Sequence, residues 1–221
     1  MVSKSSKQSN KSSTKSSKSK KAKKKNLIGP KNNQVDFYRI LWAEENNDDE
    51  VLGLTTLMIK NIPIKITQND MLQLLDKNFA GRYNYFYLPM DLKTQCSVGF
   101  AFINFVSHVY ILDFFLEFQC LKWSETLPNC NSNKHVDIVY ANMQGIDEIK
   151  KELLNKNIMK KNDSTIKPII NDHMEPDEKI IKEIKERYFY NERFIHYYQQ
   201  RLIHFSQVKA KLQAIKQQNQ L

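Results

Sequence analysis

Residues 98–105 read Val-Gly-Phe-Ala-Phe-Ile-Asn-Phe, and this octamer restricts the fold more than any other segment. Side chains alternate across a strand, so Phe100 and Phe102 share one face while Ala101, Ile103 and Phe105 share the other. One set can fill a core. The other leaves two rings on a sheet surface, so helices should pack on one side only. Upstream, TTLMIKNI at 55–62 is strand-like. Thr67 then caps a helix with Asp70 three positions on, and Met71, Leu74, Leu75 and Phe79 recur at helical spacing. YNYFYLPM at 83–90 is a second β-rich run, expected to form a hairpin with 98–105. Ser107 caps a second helix, Val109 to Phe118, apolar nearly all round and interrupted only by Asp113 and Glu117. HVDIVYA at 135–141 supplies a last strand, giving the order βαββαβ.

That order predicts an α+β fold of the ferredoxin-like, split-βαβ kind. The octamer fits the RNP1 pattern of an RNA recognition motif (RRM) at every position except the first, Val98, where Lys or Arg is expected. The first strand, Leu57 to Ile62, fits the shorter RNP2 pattern, with Met58 where an aromatic usually stands. Exposed rings on a sheet are costly unless something planar stacks on them, and an unpaired base does so. Met58 and Lys60 fall on the same outer face by parity. If Phe86 and Leu88 point inward, Tyr85 and Tyr87 join the platform. Positive charge is expected from Lys60, Arg82, Lys93 or the N-terminal tail. The competing readings are that the tyrosines flank the strand pair or cover an extension, and that a protein helix occupies the sheet.

TTLMIKNIP at 55–63, YNYFYLPMDLKTQCSVGFAFINF at 83–105, LKW at 121–123, YANMQG at 140–145 and KPIIND at 167–172 together resemble the C-terminal RRM of the mei-two-like family. The resemblance spans 54–172. LPMD before the loop and the hydrophobic Val98 are part of it. It implies an RRM fold and single-stranded RNA binding in developmental or meiotic RNA control.

The 221-residue chain carries 34 Lys and Arg against 24 Asp and Glu, but residues 1–25 hold ten Lys and no acid. Residues 1–34 are expected to be a disordered basic tail, and its run KSKKAKKK at 18–25 is either a nuclear address or a weakly sticky solvated segment. Residues 35–53 combine an apolar-aromatic island (Phe37, Tyr38, Leu41, Trp42), expected to pack on the domain edge, with an acidic linker. The RRM is assigned to 54–145, and 146–176 to an extension in which Ile146, Ile149, Leu153 and Leu154 share a helical side before a polar connector. That helix either covers the sheet or extends it.

From 177 to 221 neither Pro nor Gly occurs, and two heptad rows run through Ile181, Ile184, Tyr188, Ile195, Tyr198, Leu202, Phe205 and Leu212. This predicts one long, coiled-coil-like helix, packing either on a partner (or a second copy) or on the apolar second helix. Three Cys at wide spacing suggest neither a disulfide framework nor a zinc site, and a reducing compartment is expected. No apolar stretch is long enough for a membrane helix. No catalytic signature stands out, so no enzyme activity, cofactor, metal, membrane or small-molecule substrate is expected. The reading is an RNA-binding protein resident in the nucleus, or in nucleus and cytoplasm. The alternative is a structural or adaptor subunit of a nuclear ribonucleoprotein or protein complex.

Overall fold

A computed structural model describes residues 33–127, 130–154, 156–160 and 163–218. The expected disorder of 1–34 therefore lies outside the described residues, except at Asn33 and Gln34. These two pair with the sheet edge: Gln34 bridges Val139, and the Tyr140 N–H donates to the Asn33 carbonyl at 2.7 Å.

In chain order the helices are α1 (Phe37–Asn46), α2 (Asp49–Leu52), α3 (Gln68–Phe79), α4 (Val109–Phe118), α5 (Trp123–Thr126), α6 (Ile146–Leu153), α7 (Glu178–Tyr190) and α8 (Glu192–Gln218). The strands are β1 (Thr56–Lys60), β2 (Tyr83–Tyr87), β3 (Met90–Asp91), β4 (Cys96–Ser97), β5 (Phe100–Phe105), β6 (Asp137–Tyr140) and β7 (Ile169–Ile170). One antiparallel sheet has the order β6-β1-β5-β2-β7, and β3 and β4 form a separate small hairpin. The run 83–90 thus splits, because the chain leaves β2 after Tyr87 and turns through β3 and β4 before β5. Gly99, at φ +90°, makes the re-entry, and its carbonyl accepts from the Ile62 N–H at 2.9 Å. That backbone region strains any residue with a Cβ.

α3 starts as expected, with Thr67 and Asp70 in a reciprocal capping box. At α4 the Ser107 hydroxyl accepts from the Val109 N–H at 3.3 Å. Leu57, Ile59, Ala101, Ile103 and Phe105 are buried beneath α3 and α4. α4 buries every residue from Val109 to Phe118 except Asp113 and Glu117, so it needs cover on its outer side too.

That cover comes from the chain's own flanks. Phe37 of α1 packs against Tyr188 (centroids 5.4 Å) and Tyr198 (4.5 Å), and Phe205 packs edge-on to Phe115 at 5.7 Å. The heptad rows are therefore not a free partner-binding stripe. Ile181, Ile184, Tyr188, Tyr198 and Phe205 are buried against the domain, while Ile195, Leu202 and Leu212 are half-buried. Nor is there one helix: Asn191 adopts extended backbone (φ −105°, ψ 99°), and its side-chain oxygen accepts from the Phe194 N–H at 3.3 Å. Asn competes for local backbone donors in this way, which ends one helix and caps the next.

The island splits in the same fashion, with Phe37 buried and Tyr38 and Trp42 about half exposed. The acidic stretch is not a linker but part of α1 and α2. Its Glu44 accepts from His108 in a short contact and pairs with Lys185 at 2.7 Å. Asp113 holds Arg82 at 3.2 Å, Arg187 at 3.1 Å and the Tyr188 hydroxyl at 2.6 Å. Of the two polar breaks in the apolar helix, Asp113 is thus the joint between α4 and α7.

Candidate nucleic-acid interface

Strand register places the outer face of the sheet in three rows. Nearest the domain's closed end lie Thr56, Asn104, Tyr85 and Ile170; next come Val139, Met58, Phe102 and Tyr87; last come Asp137, Lys60 and Phe100.

The closed row is sealed. The Thr56 and Thr55 hydroxyls donate to the Asn104 side-chain oxygen at 2.7 and 2.8 Å, and the Asn104 amide donates to Asn84 at 2.7 Å. Gln144 lies across this end, its oxygen accepting from the Thr56 N–H at 2.8 Å and its amide donating to the Thr56 carbonyl at 3.0 Å. α6 follows directly and docks Ile149 and Leu153 onto Tyr85, with Met143, Ile146 and Ile170 around them. Tyr85 is only 5% exposed. It points to the expected face but is a floor for α6, not part of an open platform. Burial, with Tyr87 adding, pushes its phenol above the usual range. Leu154, expected on the same helical side, is 80% exposed instead. The expected connector contributes β7, whose Ile170 pairs with Tyr85 at the sheet's far edge.

The open rows hold the rest. Phe100 and Phe102 are half-exposed, with centroids 5.6 Å apart and planes inclined at 75°. Met58 and Tyr87 are half-exposed beside Phe102. Burial raises the Tyr87 pKa, with Lys156 opposing, so the hydroxyl stays a protonated donor at neutral pH. Between the middle row and α6 lies a cavity of about 490 Å³, lined by Met58, Tyr87 and Phe102 below and by Met143, Ile149 and Leu153 alongside. Asn33, Asn142, Glu152 and Lys156 also line it, and the Asn33 amide donates to the Asn142 oxygen at 2.9 Å. That volume suits a cleft taking one small planar group.

The basic residues fare unequally. Lys60 lies on the open row but pairs with Asp137 at 3.6 Å. Lys93 sits exposed between β3 and β4, where its N–H donates to Asp91 at 2.8 Å. Arg82 is not beside the face at all: it lies on the helical side, with its guanidinium 5.5 Å over Phe79 and 5.6 Å over Tyr110. Val98 is exposed, and its N–H donates to the Pro89 carbonyl at 3.0 Å. Sequence reasoning missed Met143, Asn142, Asn33 and Lys156. The spacing of Ile149 and Leu153 marked a helix face, but nothing local said that this face meets the sheet.

The RNA recognition motif 2 family matches residues 54–156. Protein MEI2-like 5 of Oryza sativa subsp. japonica is 41% identical over 150 residues, covering 67% of this chain and 17% of that protein. Protein MEI2-like 3 of Arabidopsis thaliana is 36% identical over 150 residues, covering 68% of this chain and 18% of its own length. The chain therefore spans less than a fifth of these relatives. Among solved structures, that of the Rna15 RRM with bound RNA (GU) aligns with a TM-score of 0.35 and 17% identity, over 46% of this chain and 97% of that one. The folded domain carried by this chain belongs to the MEI2-like RNA recognition motifs.

Proposed function

We propose that the chain binds unpaired bases of single-stranded RNA, one stacked on Phe100 in the open row and a neighbour on Phe102 in the slot beneath α6. The observation that carries this reading is the pair of half-exposed rings, 5.6 Å apart, on a sheet face that the chain's own helices leave partly open. The matched family and its MEI2-like relatives support it. Each stacked base is worth about 1 to 3 kcal/mol by alanine substitution. Met58 and Tyr87 extend the surface, with the Tyr87 hydroxyl available to a base edge. The Lys-rich tail supplies sequence-independent phosphate attraction. Nothing in this arrangement requires a cofactor, and the reading is one of binding rather than catalysis. Residence in the nucleus, or in nucleus and cytoplasm, belongs to the same proposal and rests on the Lys run at 18–25. A fluorescent reporter too large to diffuse into the nucleus, fused to residues 1–34, tests it, and exclusion of that reporter from the nucleus argues against it.

The adaptor alternative loses its main support, because the heptad rows are used inside the domain. The test of RNA binding is fluorescence anisotropy of a labelled random single-stranded RNA with the full chain and with the Phe100→Ala/Phe102→Ala variant. The variant is expected to lose about 2 to 6 kcal/mol, two stacked bases' worth, while circular dichroism shows that it remains folded at the assay temperature. Equal affinity in a folded variant sinks the stacking reading.

A further inference from the structure

We infer that the distal half of α8 is a phosphate-binding arm for the RNA strand as it leaves the sheet at the β6 edge. The inference rests on the proposed stacking face. α8 is anchored as far as Leu212: Tyr198 and Phe205 are buried, and Val208 and Leu212 are half-buried. From 213 to 218 every residue is exposed, and the last helical residue, Gln218, lies about 14 Å along the axis beyond Lys209 at 1.5 Å per residue. The overhang is made of residues that favour helix, so it needs little packing to persist. Between Arg201 and Gln218 there are four cations, Arg201, Lys209, Lys211 and Lys216, and no acid. Arg201 is spent on structure, donating to the Leu116 carbonyl at 3.0 Å. The three lysines remain.

Asp137 is what ties this helix to the RNA face. It stands opposite Lys60 in the β1–β6 register, in the same row as Phe100. Its carboxylate meets Lys60 at 3.6 Å and Lys209 at 3.9 Å. Alone, Asp137 would repel a phosphate beside the open ring. Flanked by two lysines it leaves a net positive corner, and Lys216, two turns beyond Lys209 on the same face of α8, continues that charge outward, while Lys211 projects from the other side. Val98 removes the cation that RNP1 usually supplies beside the central strand, and α8 brings cations to the β6 edge instead.

The test compares the full chain with Lys209→Gln/Lys211→Gln/Lys216→Gln, and with Lys179→Gln/Lys182→Gln on the far side as a charge control, binding labelled random single-stranded RNA across a salt series. Single-strand contacts contribute about 0.7 each to the slope of log K against log salt, so Lys209 and Lys216, on one face, should lower it by about 1.4. That equals roughly twenty-five-fold weaker binding at about 0.1 M salt, vanishing on extrapolation to 1 M. The Phe100→Ala/Phe102→Ala variant should weaken binding at every salt with its slope kept. An unchanged slope in the triple variant, or an equal drop per lysine in the control, overturns the arm. If the lysine variant loses slope while the ring variant binds like wild type, the arm stands and the stacking reading fails. If the wild-type chain binds no RNA at low salt, both fail.

Discussion

Replacing Phe205 with Ala asks whether α8 is part of the domain's core or a stripe awaiting a partner. Phe205 is 4% exposed, packs edge-on to Phe115 at 5.7 Å, and lies under the Arg201 guanidinium at 4.9 Å. Its carbonyl accepts from the buried Cys120 thiol at 3.9 Å, so the backbone is seated as well. Removing the ring forfeits about 2 to 3 kcal/mol of apolar transfer. The edge contact adds about 0.5 to 1.5 kcal/mol and the partly exposed cation–π contact about 0.5 to 1. The expected cost is about 3 to 5 kcal/mol, the usual range for a buried Phe→Ala change. Against a domain stability of about 5 to 15 kcal/mol this is a large fraction. Urea unfolding of the full chain should show the midpoint falling at constant slope, independent of protein concentration. Leu212→Ala, at a half-buried site near the overhang, should cost under about 1 kcal/mol. A cost below 1 kcal/mol for Phe205→Ala, or a midpoint that rises with protein concentration, would mean that α8 packs on another chain.

Asp113→Asn should destabilise by about 2 to 4 kcal/mol in the same assay, because the two guanidiniums lose their counter-charge and one of the two acceptor oxygens shared with the Tyr188 hydroxyl becomes an amide donor. Arg82→Gln should lower stability while leaving RNA affinity within about 0.5 kcal/mol; a large affinity loss in folded protein would return Arg82 to the RNA surface. Acidification should weaken the α1–α4–α7 joint. Burial depresses the His108 pKa below its ordinary 6.5, with Glu44 opposing, so its contribution is complete above that pH and is lost as pH falls toward the folded value. Burial raises Glu44, but hydrogen bonds from Lys185 and His108 outweigh it, so its contribution is lost only below 4.5. Between about pH 7.5 and 5.5 the thermal midpoint of His108→Gln should therefore drop less than that of wild type, and an equal drop in both would rule this account out.

The sheet could be read from the sequence because its information is local. Alternation in residues 98–105 fixed which side of β5 faces the core, and the Thr67–Asp70 pair fixed where α3 begins. The open rings Phe100 and Phe102, with Met58 and Lys60 beside them, follow from the same parity. Parity says which way a side chain points but not what lies above it. Tyr85 and Tyr87 share one face of one strand, yet α6, more than fifty residues later in sequence, covers the first and leaves the second half open. Arg82 looked available because it stands at the end of the second strand; Asp113, on a neighbouring helix, claims it. The heptad spacing of the last segment correctly marked an apolar face, but spacing cannot name the surface that a face meets. Only in the tertiary structure does α4, apolar on both sides, present itself as that surface, so that the same burial that completes the core also sends the lysines of α8 out toward the edge of the sheet.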